Sequence, residues 1–75
     1  MNINDYKELM LFHLMDVNTT RYKYAAVDAD GELCAYIIKP ILEMYYWINM
    51  EDEADFESIC MMTPPEDFKM TLIEL

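Results

Sequence analysis

Glycine is nearly missing from this chain: Gly31 stands alone among 75 residues. One glycine cannot build a loop that cradles a phosphate, which excludes P-loop and dinucleotide-fingerprint chemistry. Proline is also scarce, at three residues, so most of the chain is expected in regular structure. There are two cysteines, Cys34 and Cys60, without CxxC spacing. A secreted disulfide scaffold of this size would carry more. Two small buried hydrophobes in a reducing cytoplasm outweigh a Cys34–Cys60 bridge or a redox pair. His13 is the only histidine and Ser58 the only serine. No His/Cys cluster has metal-ligand spacing. Asp16 lies three residues after His13, but no Ser, Cys or Thr shares that helix to act as a nucleophile. The expectation is a protein with no catalytic residues, no metal and no cofactor. Uninterrupted apolar runs fall far below a membrane span, and Asp5 and Glu8 stand where a signal peptide would be basic. The chain therefore reads as soluble and cytoplasmic.

Positive charge is the other shortage, and it is uneven. Five Lys and Arg face fifteen Asp and Glu. The first forty residues carry only −2, whereas residues 41–75 hold nine acids against a single base, Lys69, a net −8. Such a field repels nucleic acid and anionic membrane, and it attracts basic protein surfaces, including those that hold DNA or RNA. The expected partner is a protein with a basic nucleic-acid-binding surface, with no direct nucleic acid and no membrane.

What remains is unusually apolar for so acidic a chain. Hydrophobic residues make up 55%, with eight Met and ten aromatics, enough to build one core without staples. Residues 1–75 form a single domain. The pattern predicts an α+β fold: an N-terminal helix over about 5–16 packed on an antiparallel sheet of three or four strands. A hairpin over 21–39 supplies two of them and about 43–50 the third, with a short C-terminal helix after Thr63. Asp5-Tyr6-Lys7-Glu8 reads as a capping box, and Asn18 as a left-handed C-terminal residue. Asp28-Ala29-Asp30-Gly31 suits a type I turn followed by a Gly bulge, which pairs Val27 with Leu33, Ala25 with Ala35 and Tyr24 with Tyr36. As a calcium loop the same residues fail, because position twelve is Lys39 and no helices flank them. Residues 56–62 lean towards strand by alternation, and Thr63-Pro64-Pro65-Glu66 has the form of a helix start.

Two surfaces have more apolar residues than this fold can cover. The first helix places Tyr6, Met10, Leu14 and Val17 on one side, with Leu9 and Phe12 nearly opposite. The hairpin is apolar on both faces, one of them rich in tyrosine (Tyr22, Tyr24, Tyr36), so it is either covered twice or left as an aromatic binding face. A homodimer, or a large apolar surface kept for a partner, follows from both features.

The densest acid, Glu51-Asp52-Glu53-Ala54-Asp55-Phe56-Glu57, forms a row in either regular conformation. If extended, alternate carboxylates lie about 6.6 Å apart on one side, roughly two phosphate steps along a DNA strand. If helical, Glu53 aligns with Glu57 and Glu51 with Asp55. A solvated loop that only keeps an apolar protein soluble is the competing reading, and the two stand about even. Under the first, the partner-binding residues are Glu51, Asp52, Glu53, Asp55 and Glu57, with Trp47 or Tyr46 as an anchor.

Several stretches taken together resemble a known group. Tyr24-Ala25-Ala26-Val27-Asp28-Ala29-Asp30-Gly31-Glu32-Leu33, then Ala35-Tyr36, Lys39-Pro40, Trp47 and Pro65-Glu66-Asp67-Phe68-Lys69 with Leu72, are similar to the pattern of small acidic accessory proteins of tailed phages and prophages. Phe68 stands where those proteins usually have Trp, and Thr71 where they have Ser. The matching positions are structural, so the resemblance implies a phage origin more than an activity. In physical character the chain is also similar to inhibitors that mimic DNA and block restriction, CRISPR, repair glycosylase or nuclease proteins. A phage protein of that kind would act in the host cytoplasm by protein–protein interaction. The alternative is an acidic oligomerisation or regulatory adaptor module with no nucleic-acid mimicry. A third reading, a site for small signalling ligands between subunits, draws only on the aromatic hairpin face.

Overall fold

The hairpin turn fixes the centre of the fold. In a computed structural model describing residues 2–49 and 56–75, Gly31 takes a positive φ of 99° and donates its N–H to Asp28 O at 2.9 Å. Asp28 N–H returns to Glu32 O at 3.0 Å, and Asp30 Oδ1 accepts from Glu32 N–H. This is the type I turn with a Gly bulge that the sequence predicts. Strands β1 (Tyr24–Val27) and β2 (Glu32–Tyr36) consequently pair Tyr24 with Tyr36, Ala25 with Ala35 and Val27 with Leu33.

The fold is α+β. Helix α1 (Ile3–His13) precedes the hairpin, and two short strands, β3 (Ile41–Leu42) and β4 (Trp47–Ile48), follow it. Then come β5 (Phe56–Met61), a 3-10 turn at Phe68–Met70 and β6 (Ile73–Glu74). The main sheet runs β5-β2-β1-β6, antiparallel throughout.

Three local expectations shift. The cap of α1 is Asn2, whose Oδ1 accepts from Asp5 N–H at 2.9 Å, so Asp5 lies inside the first turn, where the helix dipole favours its charge. Among the described residues only Gly31 has positive φ, so Asn18 is not left-handed. It organises the next turn instead, accepting from Thr20 N–H on its side chain and from Tyr22 N–H on its carbonyl. The expected third strand does not join the main sheet. Trp47 and Ile48 pair with Leu42 and Ile41 in a separate ribbon, and the place beside β2 belongs to β5. Trp47 N–H is held by Asp28 Oδ1 at 2.7 Å, and that bond ties the ribbon to the hairpin turn rather than to a strand ladder.

The strand leaning for 56–62 agrees with β5. The short C-terminal helix is the single 3-10 turn, and it starts later than Thr63, capped by Asp67. Pro64 precedes another proline and is driven to extended geometry, so a helix cannot begin there.

Alternation gives the sheet two apolar faces, and both are covered. On one, Tyr6 and Met10 of α1 and its cap Leu14 pack on Ala25, Val27, Leu33 and Met62, and the Tyr6 hydroxyl donates to Thr63 O at 2.6 Å. On the other, Trp47 and Phe68 cover Ala26, Cys34 and Tyr36. The Trp47 indole N–H donates to Phe68 O at 3.2 Å. Thr71 is fully buried and joins the terminal segment to β1: its Oγ1 accepts from Val27 N–H at 2.9 Å and lies 2.7 Å from Phe68 O. Thr71→Val keeps the shape but strands a buried amide, so it should cost about 1–3 kcal/mol. For a domain of this size that lowers the melting temperature by roughly 4–24 °C, measured by circular dichroism. An unchanged melt would show that the hydroxyl is dispensable.

Candidate functional site

Four of the acids expected to bind a partner, Glu51, Asp52, Glu53 and Asp55, lie outside the described residues. The fifth, Glu57, sits on β5 opposite Ala35 with its side chain exposed. Glu43, Glu66, Asp67 and Glu74, from the same acidic half, are exposed as well.

Of the two expected anchors, the structure leaves one at the surface. Trp47 is only 9% exposed, with both its backbone and its indole N–H engaged, so it is a core residue rather than a surface anchor. Tyr46 is 50% exposed, at the tip of the β3–β4 ribbon. Beside it Tyr45 is 66% exposed, and Met44 is also open. Their loop is closed by Glu43 N–H on Tyr46 O at 2.9 Å and docked by Ala29 N–H on Tyr45 O at 3.0 Å. A tip held by backbone bonds at both places presents its aromatics at little further entropic cost. Sequence reading singled out the Tyr46-Trp47 pair and missed Tyr45. Strand alternation would place Tyr45 on the same side as the buried Trp47, but the chain bends over 44–46 and turns both tyrosines outward.

A cleft of about 270 Å³ opens where the ribbon meets β2 and the start of β5. Asp28, Glu32, Tyr36, Trp47 and Phe56 line it, together with Cys34, Ile48 and Asn49. Tyr36 and Phe56 stack across the β2–β5 pair, with ring centroids 6.0 Å apart and planes 22° from parallel. Burial, and then the nearby charges of Asp30 and Glu32, raise the Asp28 carboxyl above its ordinary range, while the Trp47 amide bond works the other way. The Cys34 thiol is pushed up to about 12, first by burial and then by Glu32 and Asp28. It stays protonated near neutral pH and is not an activated nucleophile. Tyr36 is raised in the same way, chiefly by burial.

Cys34 and Cys60 are both free. Cys60 pairs with Leu33 and packs on the helix side of the sheet, whereas Cys34, one residue along β2, packs under Trp47. Opposite faces of one sheet keep them from bridging. His13 is exposed at the end of α1, edge-on to Phe12 at 5.7 Å. Among the described residues no group of three His, Cys, Asp or Glu is placed to hold a metal, and no helix is long and apolar enough to cross a membrane.

On α1, Leu9, Leu11 and Phe12 remain exposed, as does Met15 in the turn that follows, Phe12 at 67% and Met15 at 75%. The helix circumference is therefore only half covered by its own sheet, as its sequence pattern implies. Comparison with known proteins gives no match to a family model, to a curated protein or to a solved structure.

Proposed function

We propose that this protein is a non-enzymatic phage or prophage inhibitor that binds and blocks a basic, nucleic-acid-handling or defence protein of the host through its acidic face. The supporting observation is the net −8 of residues 41–75, with Glu43, Glu57, Glu66, Asp67 and Glu74 all presented to solvent. Exposed charge steers encounter and sets on-rate, but it supplies little affinity by itself. Affinity needs desolvated anchors near the charge. Tyr45 and Tyr46 meet that need, on a tip that also carries Glu43.

Affinity capture from host lysate followed by mass spectrometry tests this reading. At low ionic strength a basic nucleic-acid-binding protein should be retained, and less of it at moderate ionic strength. Recovering no basic protein at either would overturn the proposal.

The exposed apolar face of α1 supports a second reading, an acidic self-associating or adaptor module whose charge only maintains solubility. In that case Leu9, Phe12 and Met15 form the functional surface, most simply by pairing with a second copy. The acidic half would then face outward, because like charges resist a seam on that side.

A further inference from the structure

We propose that the cleft between the β3–β4 ribbon and the β2–β5 pair receives an arginine side chain of the basic partner, its guanidinium lying against the exposed ring of Phe56 and facing the carboxylates of Asp28 and Glu32. The inference rests on the reading of the partner as a basic protein, and it adds a defined pocket to a diffuse charge.

Size comes first. At about 270 Å³ the cleft falls just below the roughly 300–1,000 Å³ of small-molecule sites, so it suits one long side chain better than a cofactor. Its walls come next. Aromatic surface attracts cations through the negative ring faces. Tyr36, buried beneath it, holds the Phe56 ring in place by stacking, and Phe56 retains an exposed side.

Charge then selects among ligands. Asp28 and Glu32 both line the cleft, and no Lys, Arg or His is among its described lining residues. Two half-buried carboxylates lining one cleft favour a cation and reject an anion. Of the two common protein cations, guanidinium fits better. It is planar and weakly hydrated, stacks on rings and can engage carboxylates with two parallel N–H donors. Lysine's compact, strongly hydrated ammonium does none of these as well.

Trp47 is the only tryptophan and lines the cleft, so its fluorescence reports occupancy directly. The experiment titrates the full chain with a short arginine-containing peptide, with its lysine counterpart and with a glutamate counterpart, at constant ionic strength. The arginine peptide should give a saturable change, the lysine peptide should bind about tenfold more weakly, and the glutamate peptide should give none. Glu32→Gln and Phe56→Leu should each weaken the arginine peptide about tenfold, with melting curves close to the parent. If one variant melts early, the other decides. The proposal is overturned by the absence of saturation, by equal response to arginine and lysine, or by variants that bind like the parent. If the parent captures a basic host protein and both variants capture it equally, the cleft inference falls and the wider reading stands. Failure of capture by the parent removes the wider reading instead.

Discussion

Gly31→Ala should strongly destabilise the fold. A Cβ at this position would lie 2.1 Å from the carbonyl oxygen of Met62, and the nitrogen of Pro64 stands 3.3 Å away behind it. The obstruction is backbone, so no side-chain rotation relieves it. Moving Met62 also breaks its 2.8 Å N–H bond to Gly31 O, the link between the hairpin turn and the end of β5. The positive φ of 99° adds strain for any L side chain. Together these should cost at least about 3 kcal/mol, against a total stability on the order of 4–11 kcal/mol for a chain this long. Circular dichroism should show a lost transition or a midpoint lowered by more than about 12 °C. A midpoint within a few degrees of the parent would mean that the turn and β5 are not held together as described.

Both the hairpin register and the inner face of α1 could be read from the residues, for one physical reason. Asp28-Ala29-Asp30-Gly31 selects its turn by local chemistry, and a turn of known type fixes every pair beyond it. The i, i+4 spacing of Tyr6, Met10 and Leu14 likewise defines a stripe whatever it packs on. The sequence pattern misplaces the start of the helix because two caps compete within one turn. Asn2-Ile3-Asn4-Asp5 has nearly the box spacing of Asp5-Tyr6-Lys7-Glu8, and the earlier start keeps Tyr6 in regular helix, with its hydroxyl on Thr63 O.

Strand partnership was less legible. Residues 44–48 have strand propensity, but propensity does not say which edge a strand joins. The decision lies in long-range bonds: Asp28 takes the Trp47 amide, and β5 pairs along β2 from Glu32 to Tyr36. For the candidate site, the aromatic hairpin face was visible in Tyr24, Cys34 and Tyr36. That Trp47 and Phe68 would cover most of it, leaving only the cleft beside Phe56, was not. Their burial depends on segments distant in sequence, brought together by the Trp47 indole bond to Phe68 O.

Replacing Glu51, Asp52, Glu53, Asp55 and Glu57 together with Gln or Asn should sharply slow association with the basic partner. The change moves the net charge from −10 to −5 and removes the densest part of the field. Steered association exceeds its uncharged counterpart by about 10–1,000-fold, so a loss of at least tenfold in on-rate is expected at low ionic strength. At physiological salt, where the screening length is about 8 Å, the difference should shrink. The off-rate should change little, because it reflects the desolvated anchors on the β3–β4 tip and in the cleft. Stopped-flow or surface-based kinetics at the two ionic strengths, on the partner recovered by capture, separate these terms. Phe12→Glu on the open face of α1 supplies the contrast. If acidic mimicry is the function, this variant binds the partner like the parent; if self-association is the function, it splits the oligomer in light scattering. An on-rate insensitive to the five substitutions, together with loss of oligomer in Phe12→Glu, would sink the inhibitor reading and leave the adaptor reading in its place.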